Sequence, residues 1–329
     1  MHPKRLNSLS IIVSVYNEQD SLLSFWNKLK DVLTSLPTIS FEIIFVNDGS
    51  HDDSKKLIGE IINDSNNNAF EFIAIDFSKN FGHESAMIAG IDLAAKEAVV
   101  CLDSDLQHPP EKIMDMVSKY NEGYEIVTMI RTKRADNGMT KNTSSSIFYK
   151  LLNNLSDYKF DKNASDFFLI SGRVAQVLKE NFRERNRFLR GYIQTIGFSK
   201  ASVYFEAPSR IGGESSYSFV KLLKLSFTAI FSFSNKPLRI ALYASFIFAV
   251  FTASISIYSL LVYFFGKTPP SGYTTLIIFQ SVCFTILFLL IGILSMYFAN
   301  TLSEIRKRPI YLIENLTRKN AKQQHEEHS

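Results

Sequence analysis

Two uncharged apolar stretches in the last third of the chain constrain its architecture more than any other feature. No residue from 240 to 265 is charged, and none from 268 to 303, where Ile, Leu and Phe are densest between 276 and 299. A helix rises about 1.5 Å per residue, so some 20 apolar residues cross the roughly 30 Å hydrocarbon core of a bilayer. Both stretches are long enough to span. Between them Gly266-Lys-Thr-Pro-Pro-Ser-Gly272 breaks the helix and turns the chain. The expectation is a two-helix transmembrane hairpin over 237–303, with spans near 240–265 and 276–300. Two core helices of a soluble protein are the competing reading, and the lengths and flanks weigh against it.

The bases set an orientation. Lys221, Lys224, Lys236 and Arg239 precede the first stretch and Arg306, Lys307 and Arg308 follow the second, while the loop has only Lys267. The positive-inside bias then puts both termini on the cytoplasmic side of a multi-pass inner-membrane protein. Residues 1–10 hold no apolar run, so no secretory signal is expected. Ahead of the first span, 216–236 alternates lysines with bulky apolar residues. Such a helix lies in the headgroup layer, or packs as an ordinary amphipathic helix on the soluble domain. Residues 304–329 read as a cytoplasmic tail, solvated and disordered from Lys319 onward.

The first 215 residues read as one α/β domain. Short β-branched runs at 10–15, 41–46, 72–75, 98–102 and 125–129 are separated by segments of helical length at 21–35, 53–63, 84–95 and 110–121, with a further helix over 144–155. That alternation implies a mostly parallel sheet with helices on both faces. The hydrophobic content of 46% supplies its core. Lys plus Arg exceed Asp plus Glu only by 36 to 32, which excludes a nucleic-acid binder by charge. Cys101 and Cys283 sit far apart in apolar runs and match neither disulfide nor metal spacing.

In open sheets of this kind ligands bind beyond the carboxyl ends of the strands. Three polar clusters fall there: Tyr16-Asn-Glu18, Asn47-Asp-Gly-Ser50 and Asp103-Ser-Asp105. Asp103 and Asp105, followed by Gln107, offer hard oxygen ligands to Mg²⁺ or Mn²⁺. Such an ion would bridge the diphosphate of a nucleotide sugar. Glu18 and Asp48 suit the N–H and hydroxyl groups of a nucleoside, and Tyr16 a stacked base. A helix-entry turn with Ser50 or Asp52 as N-cap is the other reading of Asp48, and the two are compatible. For His83 a helix cap and a donor-side hydrogen bond are both open.

Those motifs, with Asn80-Phe-Gly-His-Glu84, Asp103-Ser-Asp-Leu-Gln-His-Pro-Pro110, Arg210-Ile-Gly-Gly-Glu-Ser215, the two spans and Arg308-Pro-Ile-Tyr311, resemble in order and spacing the family 2 glycosyltransferases of the dolichol-phosphate mannose synthase and bactoprenol glucosyltransferase type. The resemblance covers nearly the whole chain. It implies a GT-A fold, a metal-dependent inverting transfer and a polyprenyl phosphate acceptor. By position it implies that Tyr16, Glu18, Asp48 and Asp103 bind the nucleotide and that Asp103, Asp105 and Gln107 hold the metal. It also implies that Arg131, Arg210 and Ser215 receive the acceptor phosphate, and only by resemblance is homo-oligomerisation expected. Asp166 matches a further acidic position, read either as a base or as a group that orients an arginine or the sugar. Ser216 and Asn142 replace basic residues usual in relatives, with Arg134, Lys141, Arg187 and Arg190 as substitutes on the acceptor side, and Ser295 replaces a usual Glu.

The expected reaction is transfer of a hexose, UDP-glucose being the first donor considered, to undecaprenyl phosphate. UDP-GlcNAc, a UDP-aminopentose and GDP-mannose stay open as donors. A processive polysaccharide synthase is disfavoured, because no Gln-x-x-Arg-Trp occurs and Trp26 is the single tryptophan. An inactive membrane scaffold is the reading from another class, and the intact Asp103 and Asp105 stand against it.

Overall fold

The computed structural model of the protein describes residues 5–134, 164–185, 189–207, 236–265 and 272–321. They fall into two units, one built on a sheet and one of helices. The sheet has eight strands: β1 (Ser8–Val15), β2 (Ser40–Asn47), β3 (Glu71–Phe77), β4 (Ala98–Asp103), β5 (Ile126–Arg134), β6 (Ala164–Ser171), β7 (Lys200–Ala207) and β8 (Ile313–Lys319). Their order is β7-β5-β6-β4-β1-β2-β3-β8. The pairs β4–β1, β1–β2, β2–β3 and β5–β7 are parallel, whereas β6 and β8 run antiparallel to their neighbours. This is the mostly parallel α/β class expected from the alternation of elements.

The central strands bury nearly every residue, as strands covered by helices on both faces must. Ser10 and Glu42 are two of the polar members of that interior, and they satisfy each other: Ser10 Oγ donates to Glu42 Oε2 at 2.6 Å, which also accepts from Ala95 N–H at 3.1 Å. The helices are α1 (Leu22–Thr34), α2 (Ser54–Asn63), α3 (His83–Leu93), α4 (Lys112–Asn121), α5 (Gly172–Asn181) and α6 (Leu189–Thr195). Trp26 of α1 anchors one layer, with edge contacts to Phe45, Phe70 and Phe72 at centroid separations of 6.0, 5.8 and 5.6 Å. On the other face α3, buried from Ser85 to Ile91, lies close against β1. A Cβ at Gly90 would overlap the Ile12 side chain.

The segment 304–329, expected as a tail, supplies the edge strand β8. Its pairing Ile75↔Leu316 and Ala74↔Thr317 extends the sheet past β3. All but the last residue of β8 are exposed, so main-chain bonding rather than burial holds it, and no hydrophobic run announces it. Lys319, expected to open a disordered tail, is its final residue. The expected helix over 144–155 lies outside the described residues, as does 216–235 ahead of the first span.

The second unit contains, among the described residues, two long helices, α7 (Lys236–Phe265) and α8 (Tyr273–Ile305). Within them 238–262 and 275–305 have mean hydropathies of 2.1 and 2.6, and almost none of their described side chains is buried. By length and composition both are apolar enough to cross a membrane.

The close packing of α3 on β1 generates a prediction. Gly90→Ala is expected to destabilise the protein by about 1–3 kcal/mol through overpacking, despite a helix propensity about 1 kcal/mol in alanine's favour. Adding Ile12→Ala is expected to recover part of that loss, because it removes the methyl that the new Cβ would meet. Denaturant titration of the detergent-solubilised protein, followed by Trp26 fluorescence, measures both; a neutral Gly90→Ala would contradict the packing argument.

Candidate active site

The polar clusters at the ends of β1 and β2 are laced together by side-chain to main-chain bonds. Asn17, with φ of 55°, donates its N–H to Ser50 Oγ (3.1 Å) and accepts from His51 N–H on Oδ1 (2.9 Å). Glu18 N–H donates to Ser54 Oγ (2.9 Å) and Gln19 N–H to Asp52 Oδ2 (3.1 Å). Gly49 takes a left-handed φ of 67° and leaves no room for a Cβ against the backbone of Lys79 and Asn80. Tyr16 is exposed at this edge, and half-buried Glu18 accepts from Ser21 Oγ at 2.6 Å.

Asp48 is 3% exposed, and both of its carboxylate oxygens are engaged: Oδ1 accepts from Phe81 N–H at 2.6 Å and Oδ2 from Gly82 N–H at 2.9 Å. Burial raises its pKa, partly offset by those two amides and by His83. The residue expected to meet the nucleotide also braces the entry to α3. Its sequence position beside Gly49 said nothing of which way the carboxylate turns.

At the end of β4, Asp103 Oδ1 accepts from Ser14 Oγ at 2.7 Å and lies 3.4 Å from His83 Nδ1, while Oδ2 lies 3.5 Å from His108 Nδ1. Burial opposes ionisation of Asp103, but the two imidazoles and the Ser14 hydroxyl hold its pKa below the usual value. Asp105 Oδ1 accepts from Gln107 N–H at 3.0 Å across Leu106, whose φ is 62°. The three residues expected to hold a metal thus belong to one tight turn.

Asp166 reaches the same edge from the beginning of β6, because that strand runs backwards. Cys101 pairs with Phe168, and the register carried two residues further sets Asp103 opposite Asp166. Arg190 of α6 forks onto the Asp166 carboxylate: Nε donates to Oδ1 at 3.0 Å and Nη2 to Oδ2. Burial works against that charge, yet Arg190 and then His83 hold Asp166 well below the ordinary carboxylate range. His83 lies between the two acids, its Nε2 3.9 Å from Asp166 Oδ2. Burial opposes its protonation, but Asp103, Asp166 and Glu84 prevail and raise its pKa. Glu84 in turn accepts from Leu189 N–H at 2.6 Å and so fixes the start of α6.

Arg131, half-buried on β5, has Nη2 3.0 Å from His108 Nε2. Arg210 and Ser215, the other expected acceptor contacts, lie outside the described residues, as do Lys141, Asn142, Arg187 and Ser216. Among the described residues no group of three His, Cys, Asp or Glu is arranged to enclose a metal ion. Asp103 and Asp105 are two hard donors on one turn, which suits Mg²⁺ or Mn²⁺: such ions take one or two carboxylates and fill the rest from water and phosphate oxygens. The edge therefore combines a pair of carboxylates, a guanidinium held by a carboxylate, and a second arginine. The sequence alone does not place Ser14, Glu84 and His108 in the site; Glu84 and His108 stand inside the quoted motifs, whereas no signal marked Ser14.

The model of the glycosyl transferase family 2 matches residues 10–178, the span that carries β1 through most of α5. An uncharacterised glycosyltransferase of Bacillus subtilis, YkcC, is 35% identical over 93% of this chain and 93% of its own. A prophage bactoprenol glucosyl transferase homologue of Escherichia coli is 31% identical over 94% and 99%, and a prophage-derived bactoprenol glucosyl transferase of Shigella flexneri 32% over 95% and 99%. In shape the likeness to glucosyl-3-phosphoglycerate synthase of Mycobacterium tuberculosis is loose, with a TM-score of 0.45 at 16% identity over 68% of this chain and 78% of that one. With a matching family model over half its length and relatives aligned end to end, the chain belongs to glycosyl transferase family 2 and is a glycosyltransferase of GT-A fold.

Proposed function

We propose that the enzyme transfers a hexose, glucose first among the candidates, from a nucleoside diphosphate sugar to the phosphate of a polyprenyl lipid at the cytoplasmic face of the inner membrane. The observation that carries this reading is one sheet edge on which Asp103 and Asp105 adjoin an arginine, Arg190, already oriented by Asp166. Carboxylates for a cation and guanidinium groups for phosphate are what a reaction between two phosphorylated substrates calls for. The relatives named bactoprenol glucosyl transferase support the lipid acceptor. So do the two exposed apolar helices. Chain connectivity adds an argument: β7 precedes α7 and β8 follows α8, yet both strands belong to one sheet. A sheet cannot straddle a bilayer, so the chain between them crosses an even number of times.

On this reading Tyr16 and Glu18 bind the nucleoside, with Asp48 acting through the loop that it braces. Asp103, Asp105 and Gln107 hold Mg²⁺ or Mn²⁺, which when bound offsets the charge of the diphosphate leaving group. Arg131, Arg210 and Ser215 bind the acceptor phosphate, and Arg190 adds a cation beside them. A lipid phosphate oxygen attacks the anomeric carbon as the bond to the nucleoside diphosphate breaks, with inversion and no covalent enzyme intermediate. Such a phosphate monoester, with a second pKa near 6, is largely dianionic at neutral pH and needs little deprotonation. Asp166, held far below the range of a useful general base, orients Arg190 instead.

Two predictions test this. Purified enzyme given Mg²⁺ or Mn²⁺, undecaprenyl phosphate and a panel of labelled nucleotide sugars is expected to form one lipid-linked product, which chelation abolishes. Asp103→Asn and Asp105→Asn are each expected to lower turnover by about 10²-fold or more; no lipid product with any donor would overturn the proposal. The second concerns pH. Asp166 is favoured as the anion in the fold, so its contribution to stability is complete above its ordinary value of 3.8 and falls away at more acid pH. Asp166→Asn is therefore expected to be less stable than wild type at neutral pH, the gap closing below about pH 4, and to lower turnover without moving the pH profile between 6 and 9. A displaced profile in the variant would restore Asp166 as a base.

A further inference from the structure

One fully buried polar ring touches both halves of the site without having a part in the reaction described above. His108 is 0% exposed and stacks on Phe167 at 5.2 Å with 23° between the planes. Its Nδ1 lies 3.0 Å from Asp103 N, on the turn that bears Asp103 and Asp105. Its Nε2, on the far side of the ring, lies 2.7 Å from Ser165 Oγ and 3.0 Å from Arg131 Nη2. A neutral imidazole carries one proton and accepts at only one of its nitrogens. That proton sits on Nε2 when Asp103 N–H is the donor to Nδ1, and on Nδ1 when Arg131 is the donor to Nε2. In either form the rigid, stacked ring fixes the separation between the turn and the guanidinium.

We propose that His108 is a positioning residue that sets Arg131 relative to the Asp103–Asp105 turn, so that acceptor phosphate and donor diphosphate are registered through one imidazole. This rests on the reading of Arg131 as an acceptor-phosphate contact. Asp103 and Arg131 are 28 residues apart in sequence and on separate strands, with β6 between them. The ring bridges that gap, and Ser165 of the intervening strand closes it from the side.

The two nitrogens can be tested separately, because an asparagine amide reproduces the Nδ1 position and a glutamine amide the Nε2 position. In full-length enzyme with undecaprenyl phosphate and the nucleotide sugar it uses, His108→Asn is expected to raise the apparent KM for the lipid roughly tenfold, with the donor KM and metal requirement unchanged. His108→Gln is expected to keep the lipid KM near wild type and to raise the metal concentration required for half-maximal rate. The double variant H108N/R131A is expected to match R131A alone, since His108 acts through Arg131. Equal rises in both KM values, or additive losses in the double variant, would overturn the proposal. Removing a buried ring can unfold the domain, so Ser165→Ala provides a milder variant: it leaves Nε2 to Arg131 and is expected to hold the lipid KM at or below the wild-type value, a rise as large as that of H108N being contrary to the proposal. R131A alone separates the two levels of inference. If it leaves the lipid KM unchanged but alters another parameter, the acceptor reading fails, and the cycle in that parameter still decides whether His108 positions Arg131; if R131A changes nothing, both fall.

Discussion

Asp103 and Asp166 stand opposite one another on adjacent strands, and much of the surrounding structure serves to keep both ionised at a half-buried edge. Burial penalises each charge, and each raises the cost of the other. The compensation comes from elements distant in sequence: Ser14 from β1, His83 from α3, and Arg190 from α6. Each of these rests on packing elsewhere. His83 is in place because Gly90 lets α3 lie against Ile12 and because Asp48 gathers the amides of Phe81 and Gly82. Arg190 is in place because Glu84, the next residue of α3, accepts from Leu189 N–H. The fold and the site are thus one electrostatic problem solved through a single helix.

That helix is fastened at its other end as well. Asp92 in its last turn accepts from Arg183 Nη1 and from the Tyr311 hydroxyl, both at 2.7 Å, and the Tyr311 ring stacks on Phe77 at 5.1 Å. Burial and the Asp92 carboxylate push the Tyr311 phenol up, so it remains a donor across the physiological range. Ser78 N–H then donates to Leu312 C=O, and β8 continues along β3. The chain that returns from α8 is therefore tied to the helix whose first residue sits between the two acids. A restraint of this sort fixes where the return segment meets the sheet domain, whatever the helices before it do.

The parallel core was legible because each of its strands is a continuous apolar run ending in polar residues, and the strand-end rule then pointed at Tyr16, Glu18, Asp103 and Asp105. The two long helices were legible from length and absence of charge alone. What escaped notice has physical reasons. Asp166 was marked only by resemblance, and its place beside Asp103 was hidden because it lies near the start of a strand that runs against its neighbours and so reaches the carboxyl edge from an amino end. In β8, Ile-Glu-Asn-Leu-Thr-Arg-Lys is polar because an exposed edge strand has nothing to bury. That Asp48 also braces the entry to α3 was not legible, because a sequence records an acid but not the amides that turn toward it. His108 and Arg131 meet only after β4, β6 and β5 are laid side by side.

The charges at this edge divide in a way that bears on chemistry. Asp166 is faced by a guanidinium in a two-point contact, which leaves the pair near neutrality and the arginine fixed in direction. Asp103 is faced by imidazoles, one of them held neutral by burial. The Asp103–Asp105 turn therefore keeps negative charge that a divalent cation can offset, whereas the Asp166 side has already been compensated. On the proposed reaction two phosphorylated substrates must approach one anomeric carbon, and their mutual repulsion is the main obstacle to bringing them together. A cation on one side and oriented arginines on the other lower that repulsion without any proton leaving the nucleophile. Asp166 is then useful because it does not titrate: an acid that gained a proton at neutral pH would release the arginine whose direction it sets.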